Sequence, residues 1–200
     1  MGALVPQVRG ERLVAKVLEA TLQELAVVGY RALSIEVVAD RANVNKTSIY
    51  RRWPAKAELV TAAFRLVVDE LLYVPDEGSL RVDLAKFIGR FRDFAQSARG
   101  RGLFRVMASE GESSELREIL APIKASTRCL PHAIIARAIQ RGEIPSGSDP
   151  ELIVHCAIAP VMNWIQMDNL EVDDRRIEQV IDLILLGAKH AGGCAVREAC

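Results

Sequence analysis

Residues 45–52 bring together side chains that can hydrogen-bond to nucleic-acid bases and phosphates. The run Asn-Lys-Thr-Ser-Ile-Tyr-Arg-Arg places short polar groups first, followed by an aromatic hydroxyl and two guanidinium groups. Polar side chains of this kind reach base edges in the ~12 Å wide major groove of DNA, and arginine and tyrosine donate to phosphate oxygens. The chemistry that this segment predicts is therefore recognition of DNA rather than catalysis.

Two predicted helices precede this segment. Apolar residues recur at helical spacing over residues 11–28, and Gly29 is expected to end this first helix in a left-handed conformation. Ser34 is then a suitable N-cap for a second helix that ends near Ala42.

A tight turn is predicted to join the second helix to the third. Asn43 can adopt the left-handed conformation with less strain than most non-glycine residues, and Val44 is expected to pack into the core. Asn45 is a good N-cap for a third helix over about residues 46–53, which Pro54 ends. Two short helices joined by a tight turn are the layout of a helix-turn-helix, which places one helix end in the major groove.

Ten residues of this region are predicted to contact DNA. A merely solvated helix surface would explain Lys46 or Arg51 alone, whereas the whole array in this order favours DNA binding. Trp53 can lie on the DNA backbone or pack against the first helix, and packing with the indole N–H toward a phosphate is favoured. The predicted DNA contacts are Ser34, Asn45, Lys46, Thr47, Ser48, Tyr50, Arg51, Arg52, Trp53 and Lys56.

Residues 11–60 resemble the DNA-binding domain of tetracycline-repressor-type (TetR-family) transcriptional regulators. The matching features are Gly29-Tyr30, Leu33-Ser34, Val38-Ala39, Ala42-Asn43-Val44, the run NKTSIYRRWPAK and Leu59. The resemblance implies that Tyr50 and Lys56 contact phosphates. It also implies that Lys46, Thr47, Ser48 and Arg51 lie near bases.

Two positions depart from the family's usual pattern. Asn43 stands where the family more often has glycine. The run Lys46-Thr47-Ser48 differs by about one position from the more usual Lys-Gly/Ala-Thr, which leaves open which side chain contacts which base.

The charge distribution is asymmetric although the formal net charge is zero. Residues 1–56 carry nine Lys/Arg against five Asp/Glu, and the remainder carries 17 against 21. A basic N-terminal segment followed by an acidic remainder is consistent with a protein that binds a polyanion through its N-terminal segment alone. A split of this size also arises by chance.

The motif content argues against an enzyme or a metal protein. No Gly-rich phosphate loop, HExxH or GxSxG motif is present, so we expect no catalytic residues and no cofactor. The four cysteines Cys129, Cys156, Cys194 and Cys200 form no CxxC pair, so we expect no metal site. Without a secretory signal or an apolar run of ~18–20 residues, the expected compartment is the cytoplasm.

Composition predicts an all-α fold. Strand signals are few, and Ala, Leu, Arg and Glu dominate, so we predict about nine helices in total. Residues 1–54 are expected to form an N-terminal three-helix helix-turn-helix domain. Residues 55–200 are expected to form a C-terminal helical bundle for ligand binding and dimerisation.

The last two predicted helices are unusually apolar. A helix that is apolar on most faces is buried between layers, and a second copy of the chain is the simplest cover for both. Burial wholly within one subunit is the alternative. The resemblance implies the same homodimer, whose two DNA-binding domains would meet a palindromic operator in double-stranded DNA. The residues predicted at the interface are Val154, Ile158, Val161, Ile165, Ile177, Ile181, Ile184 and Leu185.

The resemblance further implies a small-molecule effector, of unknown identity, bound among the middle helices. Ordinary core packing is the alternative for each candidate residue: Phe87, Phe91, Phe104, Met107, His132, His155, Met162 and Trp164. We therefore predict a sequence-specific DNA-binding transcriptional regulator, a repressor that its effector releases from DNA. The alternative is a helical binding or scaffold protein with a partner other than DNA.

Overall fold

The structure, a computed structural model, describes residues 5–71, 73–110, 114–127 and 131–190. Within these ranges it contains ten α-helices and no strand, which confirms the all-α fold. The helices are α1 (Val5–Ala32), α2 (Ile35–Ala42), α3 (Lys46–Tyr50), α4 (Lys56–Leu71), α5 (Leu80–Gln96), α6 (Ala98–Glu110), α7 (Ser114–Thr127), α8 (His132–Gln140), α9 (Pro150–Gln166) and α10 (Asp174–His190).

Several helix boundaries differ from the prediction. Helices α7 and α8 are described on either side of residues 128–130, so the described ranges hold ten helices where about nine are predicted. The first helix begins at Val5 rather than near Glu11, because proline at position 6 is tolerated in a first helical turn. The third helix ends at Tyr50 rather than near Trp53.

Helix α6 runs through Gly100 and Gly102, although glycine lowers helix stability. A Cβ atom on Gly102 would lie 2.3 Å from the Cβ of Ala26 in α1. The glycine at this position therefore serves close approach of two helices rather than a change in chain direction.

The chain divides into two compact units. The first consists of residues up to Glu70 together with Ser97–Ser126, and the second of Leu71–Gln96 together with residues from Thr127 onward. In the first unit, α1 packs against α2 and α6, and α2 packs against α3. In the second, α5 packs against α8, α9 and α10. The functional boundary expected between residues 54 and 55 stays a prediction.

The core of the first unit lies along one side of α1. Val17, Leu22 and Leu25 have no exposed surface, as the helical spacing of the apolar residues predicts. Gly29 interrupts the helix with φ 77° and ψ 177°, so it takes the positive φ that was expected but an extended ψ. The chain then completes a short turn that buries Tyr30.

Local capping fixes the start of both long helices at the end of the chain. The carboxylate of Asp149 accepts hydrogen bonds from the backbone N–H groups of Glu151 at 2.9 Å and Leu152 at 3.2 Å. The carboxylate of Asp173 accepts one from Arg176 N–H at 2.9 Å. Asp149 therefore caps α9 and Asp173 caps α10, as is common for aspartate at a helix N-terminus.

Within the described ranges, no helix combines the length and the apolar character that crossing a bilayer requires. Nor do these ranges contain a group of three or more His, Cys, Asp or Glu residues placed to hold a metal ion. Cys156 is exposed, and the other three cysteines lie outside the described residues.

Candidate nucleic-acid interface

The turn between α2 and α3 has the predicted geometry. The Ser34 hydroxyl accepts a hydrogen bond from Val37 N–H at 3.4 Å and caps α2. Asn43 adopts the left-handed conformation, with φ 55° and ψ 52°, and its N–H donates to carbonyls in the last turn of α2. The N–H of Val44 donates to the Ala39 carbonyl at 3.0 Å. These bonds fix the angle at which the chain enters α3.

Helix α3 is oriented by one buried residue and one cap. Ile49 has no exposed surface and turns this side of α3 toward the core. The amide oxygen of Asn45 accepts a hydrogen bond from Thr47 N–H at 2.8 Å, so part of the Asn45 side chain is used in capping. Ser48 is half-buried. The exposed side chains of α3 and the turn after it form what we call the α3 surface: Lys46, Thr47, Tyr50, Arg51 and Arg52.

Two arginines of the α3 surface are available to a polyanion. Arg51 and Arg52 are exposed, and within the described residues neither forms an ion pair. The Arg52 guanidinium lies 5.8 Å from the ring centroid of Trp53. Trp53 itself is only 8% exposed, which favours the packing alternative for this residue. The Trp53 indole is therefore mostly buried and contacts the Arg52 guanidinium, so little of its surface is accessible to DNA.

Lys46 and Ser34 share an acidic neighbour that the sequence analysis did not assign to the site. The Lys46 ammonium lies 3.5 Å from one carboxylate oxygen of Glu36, and the Ser34 hydroxyl donates to the other at 3.1 Å. The pKa of Glu36 is lowered, first by a hydrogen bond from its own backbone N–H, then by the Ser34 hydroxyl, with a smaller effect of Lys46. A negative charge thus lies among the predicted DNA contacts.

Lys56 is engaged by the end of α1. Its ammonium donates to the carbonyl of Tyr30 at 3.0 Å and to that of Arg31 at 3.3 Å. The same nitrogen lies 4.5 Å from the centroid of the Tyr30 ring. The first residue of α4 is therefore attached to the end of α1, whereas the sequence analysis predicted a phosphate contact for it.

Tyr30 also contacts α7. Its hydroxyl donates to the Glu115 carboxylate at 2.6 Å across 85 positions of sequence. Burial is the main cause that raises the pKa of Tyr30, and the Glu115 carboxylate raises it further. Glu115 carries no local signal in the sequence, because its partner is known only once the fold is known.

An ion pair between a buried carboxylate of α1 and an exposed arginine of α2 joins these two helices. The Glu24 side chain is 7% exposed, and its carboxylate accepts a hydrogen bond from Arg41 at 2.8 Å. A buried carboxylate requires such a partner, since removing the partner would leave an uncompensated charge. Sequence reasoning missed this pair, although an acidic residue on the apolar side of α1 was a usable signal.

The predicted effector residues are distributed over both units. Phe104 and Met107 belong to α6 in the first unit, and the other six belong to the second. His155 is exposed, and its Nδ1 lies 2.8 Å from the Glu151 carbonyl within its own helix. Trp164 is half-buried, with the Arg176 guanidinium 5.1 Å from its ring centroid. The effector site stays a prediction.

The predicted dimer residues include several that belong to the protomer's own core. Val161, Ile165, Ile177 and Ile181 are at most 5% exposed, and Ile184 is 9% exposed. Both α9 and α10 pack against α5, so the most regular apolar stripe of each faces inward. Burial within one subunit is the alternative to a dimer interface for these five side chains, and their place at an interface stays a prediction. Val154, Ile158 and Leu185 are half-buried, and for them the interface stays a prediction.

Apolar side chains are nevertheless exposed on the other side of the same helices. Leu152 is 59% exposed, Leu183 72% and Leu186 60%. An open groove of about 1040 Å³ runs along α9 and α10, and Leu152, Cys156, Trp164 and Leu183 are among its lining residues. Sequence reasoning missed this face because Leu183 and Leu186 lie outside the periodic stripe of α10.

Two protein-family profiles match the chain. Residues 17–63 match bacterial regulatory proteins of the tetR family, and residues 74–184 match the tetracyclin repressor-like C-terminal domain. The first match contains α2, α3 and the exposed residues of the α3 surface. Both profiles describe regulators rather than enzymes.

Similar proteins cover most of the chain. The DNA-binding transcriptional repressor TetR of Mycobacteroides abscessus is 35% identical over 186 residues, which are 89% of this chain and 94% of that protein. The HTH-type transcriptional regulator AqdR of Rhodococcus erythropolis is 29% identical over 181 residues, 90% of this chain and 87% of that protein.

Solved structures show the same fold. The TetR family transcription regulator SCO0332 superposes with a TM-score of 0.67 at 25% identity, covering 92% of this chain and 99% of that one. FadR from Bacillus subtilis, solved in complex with stearoyl-CoA, superposes with a TM-score of 0.68 at 22% identity, covering 86% of this chain and 98% of that one.

Proposed function

Because the chain belongs to the TetR family of bacterial transcriptional regulators, we propose that its α3 surface contacts the major groove of an operator. The chain is a DNA-binding transcriptional regulator with a helix-turn-helix. The proposal concerns which residues contact DNA and how binding is controlled. It assigns base contacts to Lys46, Thr47 and Ser48, and phosphate contacts to Tyr50, Arg51 and Arg52.

One observation carries this assignment: burial of Ile49 leaves polar and cationic side chains exposed on the rest of α3. In a helix-turn-helix, the N-terminal residues of the second helix contact base edges, while flanking cations bind the backbone. Thr47 precedes the buried Ile49 by two positions, and Arg51 follows it by two. Both side chains therefore lie on the side opposite Ile49, which supports contact of the short polar residues and the arginines with DNA.

We further propose that the protein acts as a homodimer. Three leucines exposed on α9 and α10 form an apolar face, and such faces on soluble proteins commonly mark association sites. A second copy of the chain would bury the same face of both protomers around a two-fold axis. Two DNA-binding domains related by that axis would bind a palindromic operator with half-sites about 34–36 Å apart or a multiple of that spacing.

Control by a small molecule completes the proposal. We expect the protein to repress transcription in the cytoplasm, where bacterial DNA lies, and to release DNA when an effector binds. The effector would prefer the dimer conformation whose two DNA-binding domains are wrongly spaced, and its effect would be limited by that preference. Helix α4 is the proposed connection, because it continues from the DNA-binding region toward the rest of the chain.

Selection of bound sequences from random DNA duplexes tests this function. The full-length chain would be incubated with a random duplex library at a stated salt concentration of about 100 mM, since phosphate contacts make affinity strongly salt-dependent. We expect enrichment of a palindrome with half-sites centred one helical turn, or a multiple, apart.

Two results would contradict the proposal. Failure to retain any duplex at low salt would remove DNA recognition and would favour the alternative of a protein-binding scaffold. Enrichment of a site without two-fold symmetry would retain DNA binding but exclude the symmetric dimer on DNA.

A further inference from the structure

Glu36 places a negative charge beside the residues proposed to contact bases. Its carboxylate lies 3.5 Å from the ammonium of Lys46, the first residue of α3. The side chains of Glu36 and Lys46 are 57% and 58% exposed, so both are accessible to a ligand. In a helix-turn-helix, the first residues of the second helix contact base edges in the major groove. The Glu36 carboxylate therefore lies beside the base edges that Lys46 is proposed to contact.

The Glu36 carboxylate is fixed by neighbouring donors and stays ionised. The Ser34 hydroxyl donates to one of its oxygens at 3.1 Å, and the Lys46 ammonium lies near the other. A hydrogen bond from its own backbone N–H, followed by the Ser34 hydroxyl, lowers the pKa of Glu36. An ionised carboxylate accepts hydrogen bonds and donates none. Among base groups, only an amino group can therefore bind it favourably.

The major groove presents two such amino groups, N4 of cytosine and N6 of adenine. Glutamate characteristically accepts from cytosine N4, whereas lysine donates to guanine O6 and N7. Guanine O6 and cytosine N4 are hydrogen-bonded to each other within a G·C pair, so they lie about 2.9 Å apart. The ammonium nitrogen of Lys46 and the carboxylate oxygen of Glu36 are separated by a similar distance, 3.5 Å. The two side chains are thus complementary in charge and spacing to one G·C edge.

We propose that Glu36 is a specificity-determining residue, whose carboxylate accepts a hydrogen bond from cytosine N4 while Lys46 donates to the guanine of the same base pair. The ion pair between the two side chains is exchanged for these contacts on DNA. The exchange costs little, because an exposed ion pair contributes little to stability. This inference rests on the proposed function, since it names a base pair that the same surface recognises.

Replacement of this G·C pair by A·T reverses both contacts. Adenine presents its N6 amino group where guanine has O6, and thymine presents O4 where cytosine has N4. The Lys46 ammonium then faces a donor, and the Glu36 carboxylate faces an acceptor. The ratio of affinities for two duplexes that differ only at this pair, in both half-sites, therefore measures the discrimination that the two side chains provide.

The experiment repeats the selection from random duplexes with full-length wild-type protein, Glu36→Gln and Lys46→Met. A salt concentration of about 50 mM keeps weakened variants bound, because DNA affinity rises as salt is lowered. Asp40→Asn is the matched control, since it removes an exposed carboxylate from α2 that has no ion pair among the described residues. Fluorescence anisotropy then gives the affinity ratio for G·C and A·T duplexes at each position whose preference changes.

We expect a G·C pair in each wild-type half-site, at which Glu36→Gln and Lys46→Met both lose base preference. A glutamine amide can donate to thymine O4 as well as accept from cytosine N4, so it no longer distinguishes the two bases. The affinity ratio of G·C to A·T duplex should therefore fall about fivefold or more in Glu36→Gln. Asp40→Asn should keep the wild-type ratio.

Three results would overturn the inference. Glu36→Gln could keep the wild-type ratio at every G·C pair, it could change preference only at an A·T pair, or the Glu36 and Lys46 variants could act at different positions. The wild-type protein separates these results from a failure of the proposed function. If wild-type protein retains no duplex, the proposed function fails. If it selects an operator and its base preferences survive in Glu36→Gln, only the role of Glu36 fails.

Discussion

Cationic side chains near α3 differ in whether a neighbouring group already engages them. Arg51 and Arg52 are exposed without an ion pair among the described residues, Lys46 is paired with Glu36, and Lys56 is attached to the end of α1. Residue type alone makes these four equivalent candidates for phosphate contact. Their surroundings distinguish them. Arg51 and Arg52 can bind DNA directly, whereas Lys46 would first have to break its ion pair with Glu36. Lys56 connects the start of α4 to the end of α1.

The Glu36–Lys46 pair leads to a prediction of increased DNA binding. Substitution Glu36→Gln removes a negative charge that competes with DNA for Lys46, so affinity for a duplex of unrelated sequence should rise about two- to fivefold and its salt dependence should steepen. Fluorescence anisotropy over a salt series measures both quantities.

Asp40→Asn is the matched control for Glu36→Gln. It removes an exposed carboxylate from the same helix, and no ion pair with Asp40 is found among the described residues. A Glu36→Gln affinity that equals that of the control, or falls below wild type, would contradict a competing role of Glu36.

At the scale of helices, α1 makes contacts with three other helices. Helix α6 packs against it at Gly102, α2 is paired with it through Glu24 and Arg41, and α7 contacts it through Tyr30 and Glu115. The position of the helix-turn-helix in the first unit therefore depends on contacts that are distant in sequence.

The close approach at Gly102 predicts a destabilising substitution. Gly102→Ala places a Cβ atom 2.3 Å from the Cβ of Ala26, so α1 and α6 must separate. Overpacking of this kind costs about 1–3 kcal/mol in free energy of unfolding, measurable by urea denaturation. Gly89→Ala, where no atom lies within 4 Å of the added carbon, should be neutral or stabilising. Equal stability of the two variants would show that the packing at Gly102 is not tight.

The Tyr30–Glu115 hydrogen bond predicts a pH-dependent difference. Tyr30→Phe should lower the free energy of unfolding by about 1 kcal/mol at pH 7, because the bond is lost. The fold raises the pKa of Tyr30. The protonated Tyr30 hydroxyl therefore stabilises the folded state fully below the unfolded pKa of about 10, and this stabilisation declines as pH rises above that value. The difference between wild type and Tyr30→Phe should therefore shrink above about pH 10. A difference that grows with pH in urea denaturation would contradict this assignment.

Sequence predicts those parts of the site that depend on neighbours along the chain. The caps at Ser34 and Asn45 and the left-handed Asn43 follow from residue type and order, and the structure confirms them. The partners of Lys56 and Glu115 lie 26 and 85 positions away, so only the fold reveals them. The apolar stripe of α10 is buried in the protomer, but periodicity predicts only that a face is buried and does not tell which surface covers it.

For the whole molecule, the exposed leucines of α9 and α10 predict the oligomeric state. Leu183→Glu places a charge on the proposed interface and should convert the dimer to a monomer in analytical ultracentrifugation. Operator affinity should fall as well, because a monomer makes only half of the phosphate contacts that the dimer makes.

Val82→Glu is the control for dimerisation. Val82 is 41% exposed on α5, outside the groove along α9 and α10, so this variant should remain dimeric. Dimeric Leu183→Glu protein, or dissociation of both variants alike, would contradict an interface built on the α9–α10 face.

The central claim is that the α3 surface of each protomer lies against DNA bases, and photo-crosslinking from position 47 tests it most directly. A photoreactive phenylalanine would replace Thr47 in the full-length chain bound to the selected duplex, with the same replacement at Arg65 as the comparison. We predict crosslinks from position 47 to bases at two symmetry-related positions of the operator, and none from position 65. Crosslinks from position 65 without any from position 47 would contradict the claim.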